Sequence, residues 1–202
     1  MKDANGKKLP ILSLTIPKEC VPDWHGLLRR GVKVCVNESI SVRDFMTDIL
    51  KMDLEYATNS VPGLFVNNTP VDDWIAERVY GGDDVGMSGT MPGLCGIALR
   101  RSSPIRAFRF DLNSRPDADE HKGGMVNVKM FNFVARDCFF PVFHDGVVVS
   151  TISLQQYIKD QDISLEMCAC SWDDNVVDFG KIEKLLAESG RDIELKITTL
   201  KN

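Results

Sequence analysis

Gly81-Gly82-Asp83-Asp84 sets two adjacent carboxylates on a glycine turn, after Arg78-Val79-Tyr80 and before Val85. Two adjacent acids bring hard oxygen donors to one turn. The alternative is a solvated turn with no chemistry. Cys168-Ala169-Cys170 puts two thiols on one face of a strand, because side chains repeat every second residue. Cys138 and His144 would complete four ligands for Zn²⁺, although C-x-C lacks the spacing of paired knuckles and buried cysteine often serves as a small hydrophobe. Arg100, Arg101, Arg106, Arg109 and Arg115 fall within sixteen positions of an otherwise acidic chain. A pair of them on one face could grip a phosphate or an acidic partner; a charged sheet edge is the other reading. Asp72-Asp73, Asp83-Asp84 and Asp117–Glu120 are the acids that could oppose them. His25, His121 and His144 lie in three separate segments and form no triad. Gly86-Met87-Ser88-Gly89-Thr90 departs from the nucleophile elbow at its last position, and neither a P-loop nor a dinucleotide fingerprint occurs.

Alternation and breakers give the elements that must position these groups. Ile11, Leu12, Leu14 and Ile16 predict a first strand, stopped by Pro17. Cys20–Arg30 reads as a loop. Val32, Val34 and Val36 alternate with polar residues as a half-buried strand does. Ser41 is the expected cap of a helix whose stripe is Val42, Phe45, Ile49 and Leu50. Leu64-Phe65-Val66 is a short strand, Asn67-Asn68 a tight turn, and Val85-Gly86-Met87 another strand. Two further strands are expected at about 96–101 and 105–111. Asn113–Gly124 is polar and carries Pro and Gly, so it is the linker candidate. Val126, Val128 and Met130 alternate. Pro141–Ser150 reads as a hairpin on Asp145-Gly146, Ser153 as the cap of a helix to about Lys159, and Ile163–Cys170 as a strand. Asp178 caps a helix carrying Ile182, Leu185 and Leu186, with Gly190 as its stop. Ile193, Leu195 and Ile197 form the last strand. Residues 31–48 and 146–160 echo one another as strand, serine-rich turn and helix. A diverged duplication and chance likeness of two strand-to-helix units both explain that echo.

Three pieces between 11 and 96 carry a resemblance. They are Ile40-Ser41-Val42-Arg43-Asp44-Phe45 at the helix entry, Phe65-Val66-Asn67-Asn68 with Val71 at the turn, and Gly82-Asp83-Asp84-Val85 before a closing strand. In this order they resemble the sulfur-carrier proteins of molybdopterin and thiamine biosynthesis, which are β-grasp (ubiquitin-like) proteins. The resemblance implies that Ser88–Gly96 lies where that family has its reactive C-terminus, with Pro92, Gly93, Cys95 and Gly96 as the tail site. The chain departs from the pattern: it has no Gly-Gly there, and 106 residues follow Gly96 (202 − 96). Carrier chemistry would require cleavage near Gly93–Gly96. Arg78–Val85 also resembles the metal-binding hairpin of palm-type nucleotidyl transferases. Pro62 and Pro70 leave too little room before it for the long helices of that class.

The 202 residues suit one large domain or two small ones, and 44% apolar with 26% charged residues is an ordinary globular composition. A net charge of −5 disfavours nucleic acid and anionic membrane surfaces as partners. MKDANGKKLP has no apolar leader core, and no run approaches the roughly 18 apolar residues of a membrane span. The six cysteines then read as free thiols in a cytoplasmic protein. The expectation is an α+β protein, mostly antiparallel: a β-grasp domain over 9–112 and a smaller α+β domain over 123–202. The leading functional expectation is a non-enzymatic protein-binding module, without cofactor, whose partner is another protein or a second copy of the chain. Trp24 and Trp74 are its expected anchors, and Arg100, Arg101, Arg106 and Arg109 its anion or partner site. A sulfur-carrier or cofactor-biosynthesis accessory is second, and a Mg²⁺-dependent transferase using Asp83 and Asp84 third.

Overall fold

The computed structural model describes residues 1, 7–105 and 123–200. In chain order the elements are β1 (Ile11–Ile16), α1 (Val21–Trp24), α2 (Gly26–Arg30), β2 (Val32–Val36), β3 (Ile40–Ser41), α3 (Val42–Asp44) and α4 (Leu54–Ser60). Then come β4 (Gly63–Val66), β5 (Thr69–Pro70), β6 (Arg78–Val79), β7 (Asp84–Ser88) and α5 (Gly93–Leu99). The chain continues with β8 (Gly124–Phe131), α6 (Asn132–Asp137), α7 (Phe139–Asp145), β9 (Val147–Ser150) and α8 (Thr151–Asp160). It closes with β10 (Ala169–Trp172), β11 (Asn175–Val177), α9 (Phe179–Ser189) and β12 (Asp192–Thr199). This is an α+β protein whose strand pairs are mostly antiparallel. No described helix is long and apolar enough to cross a membrane.

The chain forms two compact units, one of Met1–Leu27 with Phe139–Asn202, the other of Leu28–Cys138. The division falls within α2 and at Cys138, between α6 and α7. It differs from the expected 9–112 and 123–202 split at Asn113–Gly124.

In the Leu28–Cys138 unit the strand order is β2-β8-β7-β4-β5. β8 runs antiparallel to β2 and parallel to β7, and β4 is antiparallel to both β7 and β5. Val32, Val34 and Val36 point inward because β2 alternates. Val42, Phe45 and Leu50 of the helix stripe read from sequence are buried, Ile49 is half-buried, and Met46 joins them. Ser41 caps it, its Oγ accepting from the Asp44 N–H at 3.1 Å. The helix then widens into a π-helical turn at Phe45–Ile49, where the Leu50 N–H donates to Phe45 O at 3.0 Å.

In the other unit the order is β9-β12-β1-β10-β11. β12 runs antiparallel to β9 and parallel to β1, and β10 is antiparallel to both β1 and β11. Leu12, Leu14, Ile16, Leu195 and Ile197 supply its core strands, and Ile182 and Leu186 of α9 are buried. Asp178 Oδ1 accepts from the Lys181 N–H at 2.8 Å, and Gly190 takes φ 57° at the helix stop, both as read from sequence.

Several local expectations are corrected. The first strand of the expected 9–112 domain, β1, is paired with β12 and β10, strands from beyond that range. Cys20–Arg30 is not a loop, because Pro22 opens a helical turn and Trp24, Leu27 and Leu28 share a buried face. The strand expected at 96–101 is helix α5, and most of 105–111 lies outside the described residues. Pro141–Ser150 is not a hairpin: Phe139, Val142 and Phe143 recur at helical spacing and bury α7, and Gly146 at φ 96° turns the chain into β9. Helix α8 begins at Thr151, with Ser150 rather than Ser153 at its N-cap position. The strand at the end of 163–170 begins only at Ala169.

The two units repeat one plan down to single residues. Gly31 (φ 107°) precedes β2 and Gly146 (φ 96°) precedes β9, the strands at matching positions of the two orders. A Cβ on Gly31 would meet Asn127 Oδ1 and Lys129 Cε; one on Gly146 would meet Glu194 Oε1 and Lys196 Cε. Asn67-Asn68 and Asp173-Asp174 are both two-residue turns with paired positive φ (49° and 66°; 48° and 66°). Asn67 Oδ1 accepts from the Asp84 N–H at 2.9 Å while its own N–H donates to Asp84 O at 2.8 Å. Asp173 makes the same pair with Ile11, at 2.9 and 2.8 Å.

Candidate functional site

The segment after β7 brings together residues of two expected sites, the glycine tail and the first arginines. Ser88 Oγ donates to Thr90 O at 2.9 Å, and Asn132 Nδ2 donates to the same oxygen at 2.7 Å. Asn132 takes φ 57° at the junction of β8 and α6, a conformation asparagine tolerates. Gly89 lets the Phe133 ring lie where a Cβ would be, 2.1 Å from the ring's Cζ. These contacts fix where Met91 and Pro92 launch α5.

Helix α5 is held at both ends. A Cβ on Gly96 would sit 1.7 Å from Met91 O, so only glycine lets the helix approach that backbone. The Arg101 N–H donates to Pro62 O at 2.7 Å, and its Nη2 donates to Thr58 O at 2.8 Å. The Arg101 guanidinium lies 3.9 Å from the Trp74 ring centroid, a cation–π contact. Ser102 N–H donates to Asp72 Oδ1 at 3.0 Å. Arg101 is therefore a clasp.

Arg100 has a different setting. It lines a cavity of about 190 Å³ with Pro62, Thr90, Met91, Gly96 and Ile97. Leu94 and Ile97, one helical turn apart on α5, are 72% and 47% exposed. An apolar ridge thus stands beside a cationic, partly apolar hollow. Such a surface suits an amphipathic segment carrying a carboxylate, since guanidinium pairs carboxylate with directional bonds.

The remaining expected residues are placed elsewhere. Trp24 and Trp74 are not exposed anchors: Trp24 is 0% exposed and tilted against Tyr157, and Trp74 is 7% exposed beneath Arg101. Both are too large and apolar to leave in water when a core can take them. The tail is not extended: Pro92 precedes α5, Gly93 (φ 70°) enters it, Cys95 lies within it, and Gly96 is buried. Threading this segment into a partner's narrow site would first require unwinding the helix. Asp83 is not a solvated tip acid. It is buried, accepting from the Tyr80 N–H at 2.8 Å and from Asn67 Nδ2 at 2.7 Å. Asp84 is exposed and accepts from Asn127 Nδ2 at 2.6 Å. Both carboxylates thus pin strands. Arg106 and Arg109 lie outside the described residues.

Cys138 belongs to the Leu28–Cys138 unit, whereas His144, Cys168 and Cys170 belong to the other. Among the described residues no group of three or more His, Cys, Asp or Glu could hold a metal ion. His144 pairs with the adjacent Asp145 at 3.0 Å. Burial, reinforced by Asp137, pushes the Cys138 thiol up to about 12. Burial, with Cys170 and Cys20 nearby, pushes Cys168 up to about 11. Cys170 and Cys20 are raised too, by burial first. These are protonated thiols, poor nucleophiles and poor metal ligands near neutral pH. A second cavity, about 420 Å³, lies between α8 and α9 and is lined by Ile158, Leu165 and Leu186 with Lys159 and Glu183.

Sequence reasoning missed α5 itself, and with it the exposed pair Leu94 and Ile97. The signal was present in the spacing of Leu94, Ile97 and Ala98 after Pro92, but Gly93 and Gly96 argued against a helix. Asn132 had no signal in sequence. No protein-family model matches this chain, and no curated protein or solved structure is significantly similar to it.

Proposed function

We propose that this protein is a docking module, and that the α5 face of its Leu28–Cys138 unit holds an acidic, amphipathic segment of another protein. The observation that carries this is the exposure of Leu94 and Ile97 beside Arg100, on a helix fixed by Arg101, Gly96 and Asn132. A helix so held is pre-organised, which reduces the ordering cost of binding. Covering what remains exposed of Leu94 and Ile97 is worth less than the roughly 1.5–3 kcal/mol of a full burial, about 1–2 kcal/mol for Leu94 and about 1 kcal/mol for Ile97. The Arg100 guanidinium selects a carboxylate on the incoming segment.

The expected tryptophan anchors are replaced by Leu94 and Ile97, because Trp24 and Trp74 are consumed by the core. The test is a photo-crosslinking residue at position 94 of the intact chain, with Ile152, 67% exposed on α8 in the other unit, as control. Position 94 should yield a discrete adduct whose crosslinked peptide carries Asp or Glu beside apolar residues. That adduct should be lost in Arg100→Glu. Identical adducts at positions 94 and 152, or an adduct indifferent to Arg100→Glu, would refute the reading.

A further inference from the structure

The outer strands of the two units sit at the same place in the same plan, yet one is closed by a proline and the other has no further strand paired to it among the described residues. In each, a two-residue turn joins the outer strand to its neighbour, so the residues flanking the turn form a hydrogen-bonded pair. Those pairs are Val66 with Thr69 and Trp172 with Asn175. The next pairs are Phe65 with Pro70 and Ser171 with Val176. They are of the non-bonded kind, so the backbone groups of the outer residue face away from the sheet. At that position β5 has Pro70, which has no N–H to offer. At the matching position β11 has Val176, 90% exposed, with its N–H and C=O directed outward.

The charges around Val176 decide what could pair there. Asp173, Asp174 and Asp178 flank the strand, and no cation lies between residues 173 and 178. Two copies of β11 paired antiparallel about Val176 would set Asp174 opposite Asp178 of the other copy, twice. Like charges directly opposite on paired strands are unfavourable. A strand with an apolar centre and Lys or Arg at its ends meets the reverse situation.

We infer that β11 is a strand-addition site for an extended, basic-flanked segment of a partner protein, paired antiparallel across Val176. Main-chain bonds to Val176 would give the affinity, and the flanking aspartates would give the choice of partner. The surface lies in the unit that does not carry α5, so this inference stands apart from the docking proposed for Leu94 and Ile97.

The probe is a short fluorescein-labelled strand with Val-Thr-Val at its centre and lysines at both ends, and a twin with glutamates at the ends, added to the intact chain. The lysine strand should bind, more tightly than its twin by about tenfold at low salt. Exchange of the Val176 amide should slow when it is bound. Val176→Pro should abolish binding and Val176→Thr should retain it. Pro70 occupies the matching position in the other unit, so the ladder to β10 tolerates that ring. Asp174→Lys should shift the preference toward the glutamate strand while leaving the outer backbone intact. Equal binding of the two strands, binding unchanged by Val176→Pro, no detectable binding of the lysine strand, or slowed exchange elsewhere than β11 would overturn the inference.

Discussion

The Leu28–Cys138 unit and the unit of Met1–Leu27 with Phe139–Asn202 share strand order, strand direction, turn type and the hydrogen bonds that lock the turn to the next strand. They differ in what hangs on that plan. After β7 the first unit carries Gly89, the Asn132-pinned loop and α5. After β1, at the position matching Gly89, the second has buried Ile16 followed by Pro17. Shared features are those that satisfy backbone groups and the core. Of the features present once, the Gly89–Phe133 packing and the Asn132 bonds serve to hold α5, and α5 itself leaves apolar surface exposed. That contrast directs attention to α5 in one unit and β11 in the other.

The comparison can be broken most forcefully at Gly89. Gly89→Ile installs the other unit's residue and drives a Cβ into the Phe133 ring. We expect a loss of about 3 kcal/mol, as overpacking typically costs 1–3, read by urea unfolding. Phe133→Ala in the same chain should recover part of it. A neutral Gly89→Ile would mean that the close packing of Phe133 is not what distinguishes the units.

Gly31→Ala and Gly146→Ala should each cost about 1–2 kcal/mol, because both impose a side chain on positive φ against matching neighbours. Equal costs sharpen the equivalence, and a large cost in one alone breaks it. Asp173→Ala deletes a bond to the N–H of the adjacent strand, so about 1 kcal/mol is expected, and Asn67→Ala deletes the matching bond together with the one to buried Asp83, so about 2 kcal/mol is expected. Asp173→Asn should be smaller still, since both types accept that bond and tolerate the left-handed region, whereas Asn67→Asp sets a second carboxylate against buried Asp83 and should cost as much as Asn67→Ala or more.

The thiols give the finest comparison. Folded-state values above the ordinary 9.0 mean that the folded chain retains the proton longer than the unfolded one. Their contribution is therefore complete below pH 9.0 and is lost as pH rises toward about 11 for Cys168 and about 12 for Cys138. Alkylation at pH 8 followed by peptide mass analysis should modify exposed Cys35 first, then Cys168, then buried Cys138. Early labelling of Cys138 would show that its site opens readily.

What was legible in the sequence is what local chemistry dictates. The alternation of Val32, Val34 and Val36, the caps Ser41 and Asp178, the stop at Gly190 and the turn at Asn67-Asn68 all appear as read. The echo between 31–48 and 146–160 coincides with matching positions of β2 and β9. Long-range choices were not legible. Nothing in Ile11–Ile16 says that its parallel partner is Asp192–Thr199, because alternation specifies a face and not a neighbour. The apolar run after Cys138 fits either a strand or a buried helix, and Asp145-Gly146 ends a helix as readily as it turns a hairpin. At the candidate site, Arg100 had been singled out by charge. Leu94 and Ile97 were hidden by two glycines, of which Gly96 is there for close packing against Met91. Trp24 and Trp74 were misread because interface anchors and core residues have the same composition, and only burial separates them.

The most direct measurement is an amide chemical-shift map of the intact ¹⁵N-labelled chain titrated with a synthetic acidic amphipathic peptide. The account predicts shifts concentrated on Met91–Arg101, abolished by Leu94→Asp with Ile97→Asp, and none at Thr151–Asp160 of the other unit. Shifts centred on the α8–α9 cavity, or a peptide that binds the double variant equally well, would contradict it.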